Sequence, residues 1–447
     1  MASRLREGGL GIHIDGGSAC SRLHFTRDPL RLSYDTEIVM ENILHISSYV
    51  LAALGIGISF YWFAILIRLF RVSRLTPYLR DGLEYPAVDD LVSVIVPAHN
   101  ESDVIATLAQ SILEQHEANI ELIVVLDRCT DDTRSILESA AAGDSRLRII
   151  ENDECPSDWA GKCNAARIGA QVAEGKWLLF TDADVHFAPQ VVRSGVALSK
   201  AKGLGLLSAY TTLTATKWWE WVVQPVAAVS LVRQYPVDRV NDSKNPRSFA
   251  NGQFMLFDAE VYAGIGGHEC VREDLLEDIS FARHVHAAKS SVMVVASDQM
   301  LVTNMYASLE SLLEGWKRIF IESSRRNSSK LRQYGIRTMA SGMSGPCGIL
   351  GIVLGSVALS SGFTLAGGLS IGAGVCALAS HLLALAVIYT ISGFPILGII
   401  GWPLGSLLVA RVLFTAGRDI DRGRPIRWGG REYRFGPNGK INIGVDS

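Results

Sequence analysis

Charge is scarce in this chain. Charged residues fill 19% of its 447 positions against 48% for hydrophobic ones, and mean hydropathy is +0.22. So lean a surface leaves apolar area that can face lipid. Neither sign dominates. The net charge is −3, the pI is near 6.4, and no basic stripe interleaves with aromatics, which excludes nucleic acid as a partner. The seven cysteines form no CxxC pair and no zinc spacing, which excludes a disulfide framework and fits a reducing cytosolic face. The N-terminus has no compact apolar run of the signal-peptide kind. Rich in Gly, Ser and Arg and without periodicity, it is predicted to be a disordered extension over residues 1–45, and Met40 offers a second start that would leave 1–39 untranslated.

What apolar sequence there is sits in two places. Residues 46–70 are free of charge until Arg68, long enough to cross a hydrocarbon core, and followed by Arg68, Arg71, Arg74 and Arg80. That bias places the next domain on the cytoplasmic side of an inner membrane. Residues 341–416 are nearly free of charge and rich in Gly, Ala, Ser and Leu, and accommodate two or three membrane segments near 346–365, 368–391 and 394–414. Pro395 and Pro403 mark the last as a re-entrant candidate. The arginine-rich tail, 417–447, belongs inside by the charge bias, which three crossings would contradict. Between them, 308–340 has the composition of an interfacial amphipathic helix region, with an ordinary surface helix as the alternative.

Residues 90–307 change pattern, to short apolar strands alternating with amphipathic helices. LVSVIVP, ELIVVLD, LRIIEN and KWLLFTDAD read as parallel strands, Ser102–Glu117 and Asp132–Ala142 as helices, the second capped by Asp132 and Thr133. The fold class is therefore α/β. Its sharpest chemical signal is Asp182-Ala183-Asp184 after the apolar strand KWLLF. On a continuing strand both carboxylates share a face and can hold a divalent cation, Mg2+ or Mn2+, whose shell a diphosphate completes; a turn with capping aspartates is the other reading. Gly161-Lys162 at a helix start offers backbone N–H groups and a point charge to phosphate. A solvated surface lysine is the alternative.

LVSVIVPAHNES, ELIVVLDRCTDDT, GKCNAARIGA and LLFTDADV, in that order, resemble the nucleotide half of family 2 glycosyltransferases of the GT-A fold, over roughly residues 91–320. The resemblance implies a UDP-sugar donor. Pro97, Asn100 and Glu101 then lie along uridine and ribose, and Asp127 meets uracil, with Leu126 where an aspartate commonly precedes it. Lys162 and Asp182 approach the diphosphate, and Asp182 with Asp184 holds the metal. SFANGQFMLFDAE and DLLEDISFARHV resemble the acceptor side of membrane enzymes that glycosylate hopanoid, carotenoid and ceramide lipids. Asp278 there matches the base of a single inverting transfer to a lipid acceptor, and Glu277 is expected to point elsewhere on the helix. Glu314-Gly315-Trp316-Lys317-Arg318 departs from the Gln/Arg-x-x-Arg-Trp pattern of processive synthases. Trp316, Arg318, Gln253 and Glu277 remain candidate contacts to diphosphate or acceptor, with an interfacial anchor as the other role for Trp316. Five scattered histidines (His99, His186, His268, His284, His286) suggest no metal site, and Trp218, Trp219 and Trp221 suit packing or the acceptor cleft alike. A processive polysaccharide synthase and a non-catalytic membrane scaffold of the same fold are the competing readings.

Overall fold

A computed structural model describes residues 29–242, 246–428, 431–435 and 441–443. In chain order it contains α1 (Pro29–Leu75), β1 (Val92–Ala98), α2 (Ile105–Leu113), β2 (Ile120–Asp127), α3 (Thr133–Ala141), β3 (Leu147–Asn152), α4 (Gly161–Gln171) and β4 (Trp177–Phe180). Then come β5 (Val185–Phe187), α5 (Val191–Lys202), β6 (Leu206–Tyr210), β7 (Thr212–Leu213), α6 (Trp218–Gln234), α7 (Val237–Val240), β8 (Met255–Asp258), α8 (Ala259–Gly264) and α9 (Glu277–Ala287). The C-terminal third holds β9 (Val292–Ala296), β10 (Leu301–Thr303), α10 (Leu309–Ser323), α11 (Ser328–Ser360), α12 (Thr364–Ile391), α13 (Trp402–Asp421), β11 (Ile426–Trp428), β12 (Arg431–Phe435) and β13 (Ile441–Ile443). The chain divides into two units, residues 1–63 with 344–381 and residues 64–343 with 382–447.

The larger unit is built on a seven-stranded sheet of order β3-β2-β1-β4-β8-β6-β9. The four strands read from sequence pair in parallel, whereas β8 runs antiparallel to both β4 and β6. Parallel strands covered on both faces read as unbroken apolar runs because both faces are core. Along β1, Val94 and Val96 join a core shared with α2, α3 and α5, while Ile95 joins the opposite core with α4 and α9. Gly169 lets α4 lie flat on the sheet: a Cβ there would stand 2.6 Å from Ile95 Cγ2 and 3.2 Å from Val125 Cγ2. α3 is capped differently from expectation. Asp131, not Asp132, accepts from the Thr133 amide and hydroxyl, because only it sits two residues before the first helical N–H that needs a partner.

The smaller unit packs by small residues. A Cβ at Gly55 would meet the Ala373 backbone at 2.9 Å, and one at Gly374 would meet Gly348 O at 2.7 Å, so helix backbones touch where glycines face each other. Trp62 is fully buried with its ring 4.6 Å from that of His381. Among the described residues four helices are long and apolar enough to cross a membrane: Val39–Leu75, Ser328–Ser360, Thr364–Ile391 and Ile396–Asp421.

Several boundaries differ from those read in the sequence. Residues 1–28 of the expected disordered extension lie outside the described residues, but from Pro29 the chain is already helical. Proline suits a first helical position, and a long apolar helix propagates backwards at one hydrogen bond per residue. Region 308–340 is not one element. α10 stops at Ser323, Arg325 and Arg326 turn the chain at φ 57° and 56°, and α11 then runs on through the apolar segment. Pro395 and Pro403 start elements rather than break one, the first capping a 3-10 turn at Ile396–Gly401 and the second lying in the first turn of α13. The tail is not merely basic: β11, β12 and β13 form an antiparallel sheet.

Candidate active site

The carboxyl ends of β1, β2 and β4 open into a cavity of about 800 Å3, and each of the candidate residues named from sequence lines it: Pro97, Asn100, Glu101, Asp127, Lys162, Asp182, Asp184, Gln253, Glu277, Asp278, Trp316 and Arg318. A crevice beyond the carboxyl ends of parallel strands is where α/β sheets bind ligands. Where the cavity meets the end of β2, Asp127 is 3% exposed, with one carboxylate oxygen 2.8 Å from Arg128 Nη2 and the other 2.7 Å from Asn152 Nδ2. Asn100 and Arg128, the residues that turn the chain out of β1 and β2, both hold left-handed φ angles, 56° and 51°. Asn100 is fixed there by accepting from the Thr130 amide at 2.7 Å. Such backbone cost persists where the surrounding structure fixes it, and binding loops are common places for it.

Asp182 and Asp184 are not on a continuing strand. β4 ends at Phe180 and the chain turns before β5, since Thr181 commits its hydroxyl to Gln253 O at 2.8 Å. The two carboxylates nevertheless reach the same cavity by different routes. Asp182 ion-pairs with Lys162 at 2.7 Å, while Asp184 is half-buried with its Oδ1 atom buried and unpartnered. Burial first, then the charge of Asp182, raises the Asp184 carboxyl well above its ordinary range. Burial followed by Asp184 and Asp182 pushes Glu101 up to about 7. An orphaned carboxylate oxygen beside a second carboxylate fits a hard divalent cation. Among the described residues no group of three or more His, Cys, Asp or Glu gathers to hold one, so phosphate and water would complete its shell.

Lys162, in the first turn of α4, bridges two carboxylates that line the cavity. Its ammonium lies 2.7 Å from Asp182 and 2.7 Å from Glu277. Burial opposes its charge, but the two carboxylates outweigh burial and hold its pKa above the ordinary value. Glu277 therefore points inward, contrary to the sequence expectation, because the first turn of α9 faces the cavity and Lys162 draws the carboxylate to it. Asp278 is held by backbone donors: Gly252 N donates to Oδ2 at 2.9 Å and Ile279 N to Oδ1 at 2.6 Å. Burial, then the charge of Glu277, raises its carboxyl above the usual range against the pull of Lys162. Two glycines make this density of groups possible. A Cβ at Gly252 would be 3.1 Å from Lys162 Nζ, and one at Gly161 would be 2.8 Å from Arg128 Nη2.

The far wall comes from α10 and the loop before it. Trp316 is 5% exposed, packs on Phe320 at 5.5 Å and turns to the cavity, so it is not an interfacial anchor. Among the lining residues that escaped the sequence reading are three tyrosines, Tyr210, Tyr306 and Tyr433. Tyr433 arrives from β12 and packs with Trp159, Cys163 and Leu275. Only the alternation of Ile426, Trp428, Tyr433 and Phe435 with charged residues could have marked that segment as strand. Of the five histidines named from the sequence His99 lines the cavity and the other four do not, nor do Trp218, Trp219 and Trp221.

Residues 93–265 match the model of the family described as Glycosyl transferase family 2. The chain is 25% identical over 232 residues to the 4,4'-diaponeurosporenoate glycosyltransferases of Staphylococcus aureus strains MRSA252 and USA300, a match covering 51% of this chain and 60% of theirs. It thus spans about 60% of the length of those curated relatives. Among solved structures it is similar to the mannosyltransferase PcManGT from Pyrobaculum calidifontis in complex with GDP-Man and Mn2+, at 18% identity and a TM-score of 0.44, covering 83% of this chain and 98% of that one.

Proposed function

We propose, from the premise that the chain carries a glycosyl transferase family 2 domain of the GT-A type, that it moves a sugar from a UDP-sugar to a membrane-lipid acceptor with inversion. The observation that carries this reading is one cavity lined by Asp182, Asp184 and Asp278, with Lys162 ion-paired both to Asp182 and to Glu277, the neighbour of Asp278. Four helices able to cross a membrane in the same chain, and relatives named for glycosylating diaponeurosporenoate, support a lipid acceptor. An apolar acceptor would stay in the bilayer while its hydroxyl reaches the catalytic domain, on the cytoplasmic side by the arginine bias after residue 67.

In this mechanism Asp127, Asn100, Glu101 and Pro97 seat the nucleoside. Lys162, Trp316 and Arg318 meet the diphosphate, and Gln253 borders the acceptor. Asp278 takes the proton from the acceptor hydroxyl as that oxygen attacks the anomeric carbon from the face opposite the diphosphate, and the bond from that carbon to the diphosphate oxygen breaks. The Gly252 and Ile279 amides aim the Asp278 carboxylate, and its raised pKa suits a base working near neutrality. A Mg2+ or Mn2+ ion held by Asp182 and Asp184 would supply positive charge against the departing diphosphate. The test is UDP release by detergent-solubilised protein with a panel of UDP-sugars and total membrane lipid. Release should require lipid and a divalent ion and vanish in Asp184→Ala and Asp278→Asn; release independent of lipid would overturn the acceptor assignment.

A further inference from the structure

We infer that Tyr306 is a diphosphate-binding residue, its phenol donating a hydrogen bond to the leaving group from the α10 wall, and that Gly315 is the positioning residue that makes room for it. This rests on the nucleotide-sugar reading above but not on the acceptor. Tyr306 lines the cavity, and its hydroxyl is buried and has no hydrogen-bond partner. The indole N–H of Trp316, on the same wall, is buried and equally unpartnered. Buried polar atoms without partners are rare in folded proteins, and two at one cavity wall are accounted for by a ligand that supplies the partners.

The chemistry of that ligand follows from what the wall offers. Indole and guanidinium groups only donate, and the Arg318 side chain lines the cavity beside Tyr306 and Trp316. Burial pushes the Tyr306 hydroxyl up to about 12, with the charges of Arg318, Asp184 and Asp182 acting on it in that order, so it too keeps its proton to donate. A wall of donors within electrostatic reach of Asp182 and Asp184 suits an anionic group that only accepts. Sugar hydroxyls and nucleobases bring donors of their own; a diphosphate does not.

The ring is also fixed in place. A Cβ at Gly315 would stand 2.5 Å from Tyr306 Oη and 2.7 Å from its Cζ, so any side chain there would displace the phenol. Two residues after Tyr306, Ser308 caps α10 by accepting from the Ser311 amide at 3.1 Å, which sets the helix against the loop. Glycine at 315, inside a helix where it costs stability relative to alanine, thereby has a reason to be there.

The experiment uses the full chain in detergent and measures binding of Mn2+-pyrophosphate and of uridine by calorimetry for the parent, Tyr306→Phe, Gly315→Ala and the double variant. Tyr306→Phe keeps the ring and its packing. It should weaken pyrophosphate about ten- to a hundredfold, the range for one hydrogen bond to a charged group, and leave uridine within twofold. Gly315→Ala should weaken pyrophosphate in the parent and weaken it by less in the Tyr306→Phe background, where the ring is still displaced but the donating hydroxyl is already gone. Pyrophosphate binding by Tyr306→Phe within twofold of the parent, an equal loss for uridine, or a folded parent that binds no pyrophosphate would each overturn the assignment. A parent that binds Mn2+-UDP but glycosylates no lipid would overturn the acceptor reading and leave this one standing.

Discussion

Removing Lys162 should cost this protein stability as well as activity, and the cost should depend on pH. Lys162 lies between two carboxylates, at 2.7 Å from Asp182 and 2.7 Å from Glu277. The Glu277 side chain is 4% exposed and that of Asp182 is 31% exposed, so Lys162→Met strands chiefly Glu277. Breaking a buried pair by deleting one partner costs about 3–5 kcal/mol. Because Asp182 can recover solvent, the lower end, about 3 kcal/mol, is expected at pH 8. The sign runs one way. A buried carboxyl without its cation has a folded pKa above its unfolded value, so its unfavourable contribution grows as pH rises and fades as it takes up a proton. In the parent, the raised pKa of Lys162 lies far above this range, so the stability it contributes is constant from pH 5 to 8. The gap in melting temperature between parent and Lys162→Met should therefore widen from pH 5 to pH 8, and Lys162→Met/Glu277→Gln should close most of it. Thermal unfolding of the detergent-solubilised protein across that range is the assay. A Lys162→Met variant that melts with the parent at pH 8, or a gap that narrows as pH rises, would refute the reasoning.

The raised carboxyl of Asp278 must be ionised to act as base, so kcat/KM should fall as pH drops through neutrality rather than below pH 5, with a limb that Asp278→Asn removes along with the activity; a flat profile down to pH 5 would exclude Asp278 as that base. Chelation with EDTA should abolish transfer and Mn2+ restore it, and because Glu101 titrates at about 7 and Asp184 is also raised, ion affinity should climb between pH 6 and 8 as those protons leave; an affinity constant across this range would count against the carboxylate site. Gly161→Ala should push the Arg128 guanidinium off Asp127, since the new Cβ stands 2.8 Å from Nη2 and 3.2 Å from Asp127 Oδ2, and weaken uridine binding about tenfold, the worth of one charge-assisted hydrogen bond, while Mn2+-pyrophosphate is held as before.

What the sequence disclosed and what it hid divide by the range of the interaction. β1 to β4 were legible because strands buried on both faces must be apolar throughout, a local property that a run such as Leu91–Pro97 carries by itself. Carboxylates and a lysine in short motifs were legible too, because their charge has few other uses at the end of a strand or the start of a helix. The turn that follows β4 was not, since it depends on Thr181 reaching Gln253 O, 72 positions away. The inward turn of Glu277 was hidden for the same reason, its partner Lys162 being remote in the chain.

Glycines and tyrosines escaped most completely, and the physical cause lies in what they contribute. Gly315 matters only through the space that Tyr306 occupies, and Gly252 only through the approach of Lys162, Glu277 and Asp278, so neither carries a signal that composition or period can register. Tyr433 stands in a segment whose arginines dominate any local average, yet it is 1% exposed against Trp159 and Leu275 in the wall of the cavity. Charged residues announce chemistry from their own positions; the residues that shape the space around them become visible only once distant parts of the chain meet. A variant series confined to the charged motif residues would therefore test the acid–base and ion-binding steps but leave the geometry of the diphosphate wall unexamined, which is why Tyr306 and Gly315 belong in the first set made.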